Sequence, residues 1–157
     1  MRERMTGVRR VLERAVPVAI VLAVAVVAVA PALEVRGIVA TRAGGDSPFL
    51  LQRTQQMAAA LADGHFPPRW MPDAAYGLGY PFWNYYAPLA YLLAGLLAVL
   101  GGGVVGAVKV TLLVAYALGA LGMLRLGVRT WGTVSAGVLA SVAYTVAPFH
   151  LVNVGLH

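Results

Sequence analysis

The stretch AVPVAIVLAVAVVAVAPAL, Ala15–Leu33, is uncharged and mostly branched or small apolar, and it follows an arginine-rich start. Nineteen helical residues reach ~28 Å, close to the ~30 Å thickness of a hydrocarbon core. The reading is therefore a membrane helix. Residues 1–14 carry Arg2, Arg4, Arg9, Arg10 and Arg14 against Glu3 and Glu13. By the positive-inside bias this segment stays in the cytoplasm and the chain exits outward. Ala28-Val29-Ala30 also has the form of a signal-peptide cleavage site. Against that reading stand Pro31 directly after it and the further apolar segments downstream.

Composition points the same way. The chain is 60% hydrophobic and 11% charged, where soluble domains carry roughly a quarter charged residues. The net charge of +6 does not argue for nucleic acid, because five of the twelve basic residues lie in the first fourteen positions and serve topology. With no cysteine, disulfides, thiolate zinc sites and cysteine nucleophiles are excluded.

Residues 34–84 form a polar external loop that holds four of the six acidic residues: Glu34, Asp46, Asp63 and Asp73. Asp46-Ser47-Pro48 reads as a helix start, with a side-chain oxygen as cap and proline where its missing N–H costs nothing. An amphipathic helix over about 48–63 follows. Leu50, Met57 and Leu61 share one face, Gln52, Gln55, Gln56 and Asp63 lie elsewhere, and Gly64 ends it. From His65 to Tyr86 the text is dense in aromatics, glycine and proline, neither helix nor regular strand, and suited to an interfacial aromatic belt.

Three apolar runs follow. Residues 104–124 and 134–152 are long enough to span, and Arg125 and Arg129 between them favour a cytoplasmic loop. Residues 85–100 are short for a span, so a juxtamembrane or re-entrant helix is favoured over a full crossing. The fold class expected is all-α integral membrane: a bundle of three to four membrane helices with an amphipathic helix in the first external loop. Ending directly after an apolar run, the chain reads as the N-terminal part of a longer membrane domain.

Asp46 is the candidate catalytic residue, because a carboxylate where the external loop meets the bilayer can take a proton from an acceptor hydroxyl or help hold a divalent cation. Helix capping alone is its structural alternative. Arg53, two helical turns on, can grip a phosphate in forked geometry, or simply anchor at the interface or pair with Asp63 or Asp73. Arg69 shares that ambiguity, and Trp70 beside it is a stacking surface for a sugar ring or a belt residue. His65, His150 and His157 do not form a metal-binding spacing. Nucleotide-binding loops and GxSxG are absent.

Several segments in order resemble a family of multispanning bacterial and archaeal proteins, the membrane protein 6-pyruvoyl-tetrahydropterin synthase-related domain family. They are the basic start with one span, Gly45-Asp46 before a helix bearing Arg53, Phe66-Pro67-Pro68-Arg69-Trp70, Tyr76-Gly77, Phe82-Trp83-Asn84-Tyr85-Tyr86-Ala87-Pro88-Leu89-Ala90-Tyr91 and Ala147-Pro148-Phe149-His150-Leu151-Val152-Asn153. The name implies no pterin chemistry, which needs a zinc-binding histidine set in a soluble α+β fold. The architecture is similar to the start of a GT-C glycosyltransferase, which moves a sugar from a polyprenyl-phosphate carrier to an extracytoplasmic acceptor. On that resemblance Asp46 matches the first-loop acid, although the usual Asp-Glu pair is a single acid here. Arg53, Arg69, Trp70, Asn84 and Tyr85 become candidate substrate-binding residues, and the use of a divalent metal stays open. The implied partners are the bilayer of the inner (plasma) membrane and a lipid-linked sugar. The second reading is a non-catalytic scaffold or transporter component in cell-envelope glycan assembly.

Overall fold

In the computed structural model, residues 2–34, 37, 47–148 and 150 are described, with side chains from Ala15 onward except that of Ser47. The elements are α1 (Arg2–Glu34), α2 (Ser47–Ala62), a single turn α3 (Ala74–Gly77), a 3-10 turn (Phe82–Asn84), α4 (Leu89–Leu97), a π turn (Ala98–Gly102), α5 (Gly103–Trp131) and α6 (Val134–Thr145). Among the described residues, the only β pairing is an isolated bridge between Met71 and Tyr80. Asp46, Arg36, Arg42, Phe149 and residues 151–157 lie outside the described residues, as do the side chains of the basic N-terminus.

Among the described residues two stretches are long and apolar enough to cross a membrane: Ala15–Glu34, with mean hydropathy 2.7, and Leu89–Trp131, with mean hydropathy 2.1. The second is broken at Gly101–Gly103, where the backbone leaves the helical region. Val134–Thr145 is apolar but shorter, with 12 residues. The chain divides into two compact units, one comprising residues 1–34 and 113–156 and the other residues 35–112 with His157.

The first unit is small inside and bulky outside. Along α1 the buried residues are Val21, Ala25, Ala28, Val29 and Ala32, one stripe at helical spacing. Val16, Val18, Ile20, Val26 and Val27 are exposed. A helix that is apolar all round cannot owe its burial to an aqueous exterior. Its large side chains suit lipid, and its small ones let backbones approach. Val21 and Ala25 pack with Ala120 and Leu124 of α5, joined by Tyr116, Leu121, Val128 and Val138.

A short connection folds α6 back along α5. Gly132 N–H donates to Val128 O, Thr133 Oγ1 accepts from Ala136 N–H at 3.3 Å, and Gly137 N–H donates to Thr133 O. The two helices then touch through glycines. A side chain at Gly137 would meet Leu124 O at 2.7 Å and Val128 Cγ2 at 2.5 Å. Further along, the buried Ser141 hydroxyl donates to Ala120 O at 2.7 Å.

The second unit is built on α2 and α4. Met57, Met71, Phe82 and Trp83 form its core, with Leu61, Ala74, Tyr91 and Leu92 against them. Gly95 of α4 lies where a Cβ would be 2.7 Å from Met57 Cγ and 3.3 Å from Ala58 N. At its far end α2 closes with Gly64 at φ +78°. There Gly64 N–H donates to Leu61 O and His65 N–H to Ala60 O, a Schellman pair that satisfies two terminal carbonyls. This stop turns the chain back along α2. Gln56, expected away from the apolar face, is only 4% exposed, because the returning segment covers it.

The close contact of α5 and α6 sets a test. Gly137→Ala pushes against a backbone carbonyl that cannot rotate away, so it should destabilise by about 1–3 kcal/mol. Gly122→Ala, with nothing within 4 Å of its Cβ, should be neutral or slightly stabilising. Thermal unfolding of the two variants in one detergent separates them.

Candidate functional site

The site is built on two sides of α2, the one that meets α4 and the one covered by the segment that returns along the helix. Arg53 lies in the middle of α2, and its guanidinium carbon sits 4.3 Å from the centroid of Phe82, 5.6 Å from Tyr86 and 5.7 Å from Phe49. Phe82 and Tyr86 stack with centroids 4.3 Å apart, while Tyr91 meets Phe82 edge-on at 5.9 Å. Arg53 Nη1 donates to Tyr91 Oη at 3.3 Å. These partners come from three elements. Phe49 is one turn before Arg53 on α2, Phe82 belongs to the 3-10 turn, and Tyr91 is on the first turns of α4.

All of these described partners are neutral. A guanidinium over an aromatic face gains about 0.5–2 kcal/mol from the ring quadrupole. The rings orient the fork without cancelling its charge, so Arg53 keeps the capacity to bind an anion bidentately. Pairing with Asp63 or Asp73, which the sequence allowed, is not how the side chain is held.

One turn further along α2, Gln56 Oε1 accepts the backbone N–H of Asp73 at 3.0 Å. Its Nε2 is buried and has no hydrogen-bond partner among the described residues, and the same is true of Thr54 Oγ1 and Trp83 Nε1. Leaving a buried donor unmatched costs about 1–3 kcal/mol. Gln56 and Asp63 contribute one wall of a cleft of about 480 Å³ whose other side is the proline-rich return segment with His65, Arg69, Trp70 and Asp73. Arg69 Nη1 donates to Asn84 Oδ1 at 3.2 Å across 15 residues. Trp70 packs against Gly79, where an added Cβ would fall inside contact distance of the indole, and it remains 52% exposed. Met71 and Tyr80 exchange backbone hydrogen bonds at 2.8 and 2.9 Å, which fixes the two sides of this loop together.

Among the expected site residues, the structure brings Arg69 to Asn84 and sets Trp70 and Arg69 in one cleft. Arg53 belongs to the aromatic cluster. Tyr85 is largely exposed, with its ring 6.3 Å from that of Tyr80. Asp46 lies outside the described residues, and so does any metal role it would have. Among the described residues no three His, Asp or Glu side chains gather as metal ligands. Sequence reasoning missed Phe82 and Tyr91 as the seat of Arg53, and Gln56 as a wall residue. No spacing in the chain pairs residues 53 and 91; only the packing of α2 on α4 does.

A second, smaller cluster lies in the other unit. His150 Nδ1–H donates to Tyr144 O at 2.8 Å, and Tyr116 Oη donates to His150 O at 3.1 Å. This arrangement closes the end of α6 against α5 and offers a cavity of only about 150 Å³.

Comparison with protein families matches residues 83–155 to the 6-pyruvoyl-tetrahydropterin synthase related domain, described as a membrane protein. The matched part begins at Trp83 and runs through α4, α5 and α6; Arg53, Gln56, Arg69 and Trp70 precede it. No curated protein and no solved structure matches the chain.

Gly79 has φ +81° and the Trp70 indole stands where its side chain would be. Gly79→Ala should therefore expel the indole from its seat and shift the tryptophan emission. The same spectrum in Gly77→Ala, which has a left-handed backbone but no neighbour within 4 Å, should keep the Trp70 component.

Proposed function

We propose that the chain supplies a membrane helix and the external-loop face of a GT-C-like membrane glycosyltransferase. The enzyme moves a sugar from a polyprenyl-phosphate carrier to an extracytoplasmic acceptor, in the inner membrane with the N-terminus cytoplasmic. The observation that carries this reading is Arg53, a guanidinium oriented by neutral rings and by the phenol of Tyr91, which lies on the long apolar stretch Leu89–Trp131. The family similarity over residues 83–155 supports membrane residence.

The chemistry then assigns each group a task. An acceptor hydroxyl attacks the anomeric carbon, the bond from that carbon to the phosphate oxygen breaks, and its electron pair leaves with the carrier phosphate. Asp46 takes the hydroxyl proton. Arg53 binds the phosphate, whose negative charge grows as the bond breaks, and this is where a fixed positive fork is worth most. Arg69, Asn84 and Tyr85 contact substrate around Trp70, on which a sugar ring stacks. A divalent cation, where used, would add charge stabilisation at the same phosphate.

Transfer from a radiolabelled polyprenyl-phosphate sugar in membranes carrying the full protein tests this directly. Asp46→Asn should lower the rate by about 100-fold, the scale of a lost general base. Asp46→Ser, which preserves a helix cap, should be equally impaired. Arg53→Lys keeps a charge and loses the fork, and should lower transfer by about tenfold. Undiminished transfer in Asp46→Asn would remove the catalytic assignment and leave the scaffold or transporter reading.

A further inference from the structure

Helices α2 and α4 form a pair with two unlike outer faces. On α4, Tyr91 meets Arg53, and one turn later Gly95 packs against Met57, Ala58 and Leu61. Contacts that advance together along both helices mean that the two run in the same direction. The side of α4 and its π turn that faces away from α2 is a row of leucines. Leu89, Leu96 and Leu100 are exposed, with Leu93 and Leu97 half-buried among them. No charged residue stands between Ala87 and Val108. The exposed face of α2 is its opposite in character. From Gln52 onward it carries Gln52, Gln55, Ala59 and Ala62, a stripe at helical spacing on the side away from α4, and exposed Asp63 follows.

The shared direction limits how such a pair can sit in a bilayer. α4 has nine residues and the π turn after it five, a rise of ~21 Å against the ~30 Å of a hydrocarbon core. Were α4 to point into the core, as a crossing or as a re-entrant dip, α2 would be carried down beside it. Asp63 and His65 at the end of α2, and the irregular return with Arg69 and Asp73, are all exposed and would then stand in hydrocarbon. Charge is costly there, and lipid-exposed irregular backbone is not tolerated. Surrounded by water, the pair would instead leave its leucine row uncovered. Lying flat meets both demands, with leucines toward the acyl chains and glutamines toward water. The glycine break suits this arrangement. Gly101 at φ +100° and Gly103 at φ +62° end the run of α4 before α5 begins.

We infer that the leucine face of α4 is a membrane-docking surface, seated in the interface of the leaflet from which α5 starts, with α2 as its water-facing layer. Interfacial helices bury their apolar face by about 5–10 Å. Packed helices lie ~8–10 Å apart and the headgroup layer is ~5–8 Å thick, so Arg53, at the junction of the two helices, comes to the level of the lipid phosphates. The docking rests on the packing of α2 on α4 and on no transfer of sugar; a scaffold would dock in the same way.

The chain has no cysteine, so Leu89→Cys, Leu96→Cys and Leu100→Cys each give a single thiol for an environment-sensitive fluorophore. The full chain is reconstituted in phosphatidylcholine nanodiscs. Gln52→Cys and Gln55→Cys report the opposite face, and Leu118→Cys, exposed in the middle of α5, calibrates the bilayer centre. Lipids spin-labelled near the headgroup or at mid-chain quench by depth, and aqueous iodide quenches probes in water. All three leucine positions should lose emission to the shallow label more than to the mid-chain label, and to the same extent. The probes at Gln52 and Gln55 should respond to iodide alone. Unchanged helix content by circular dichroism shows that each labelled chain is folded. A depth that increases from Leu89 through Leu96 to Leu100 would mean that α4 points into the core, since a crossing helix descends ~16 Å over that interval. Iodide quenching at all three would put the row in water, and silence toward both kinds of quencher would put it against protein. Each of these results would overturn the proposal.

Discussion

The contact of Met57 with Gly95 is the constraint on which the second unit depends. A glycine at position 95 lets α4 come within side-chain reach of the α2 backbone, and Met57 occupies the space a Cβ would claim. Methionine suits the place, being unbranched and able to fill an irregular gap. The consequence is registration. With the helices locked at this point, Tyr91 reaches Arg53 one turn before Met57, and the opposite side of the same turn presents Gln56 to Asp73. Both polar clusters thus inherit their geometry from one apolar contact. A helix pair held farther apart by a larger residue at position 95 would lose the phenol from the guanidinium and leave Arg53 to solvent.

The other unit follows the opposite economy. Beside Val21, Val29 and Leu124 its interior is alanine, glycine, serine and threonine, while much of its exterior is valine and leucine: Ala25, Ala120, Gly137 and Ser141 are buried while Val27, Leu118 and Leu139 are exposed. In water this would be an unstable arrangement, since large apolar patches on a monomer mark a partner or a membrane. In hydrocarbon the exterior costs nothing and the gain comes from close packing and a few internal hydrogen bonds. Ser141 and Thr145 show how these are made. Each buries a hydroxyl and donates it to a carbonyl, Ser141 across to Ala120 and Thr145 back to Ser141.

Much of this was legible in the chain. The apolar run from Ala15 shows as a helix because its composition allows nothing else in a bilayer, and Gly64 ends α2 because its neighbours need a left-handed residue there. The all-helical class and the membrane setting follow from composition, whereas the number of crossings does not, since Gly101–Gly103 interrupts one long apolar run and Val134–Thr145 is short. The site was less legible. Arg53 could be singled out as a lone cation in a polar helix, but its seat is tertiary: Phe82 and Tyr91 are 29 and 38 residues away. Gln56 reads as a polar-face residue because helical spacing knows nothing of a loop that folds back over that face. Periodicity reports which side of a helix is apolar, and a returning segment can bury the other side as well. Asp46, the residue given most weight by the sequence, lies outside the described residues, so its place rests on the sequence and the resemblance.

The connection between α5 and α6 carries a consequence for how such a chain is made. Three of its backbone N–H groups are met within the hairpin itself: that of Gly132 by Val128 O, that of Ala136 by Thr133 Oγ1 and that of Gly137 by Thr133 O. A hairpin that is polar-satisfied on its own can leave a translocation channel as one piece, because nothing at its tip must wait for a distant partner before entering lipid. The small-residue stripe of α1 packs on this pair at Ala120 and Leu124, by apolar contact.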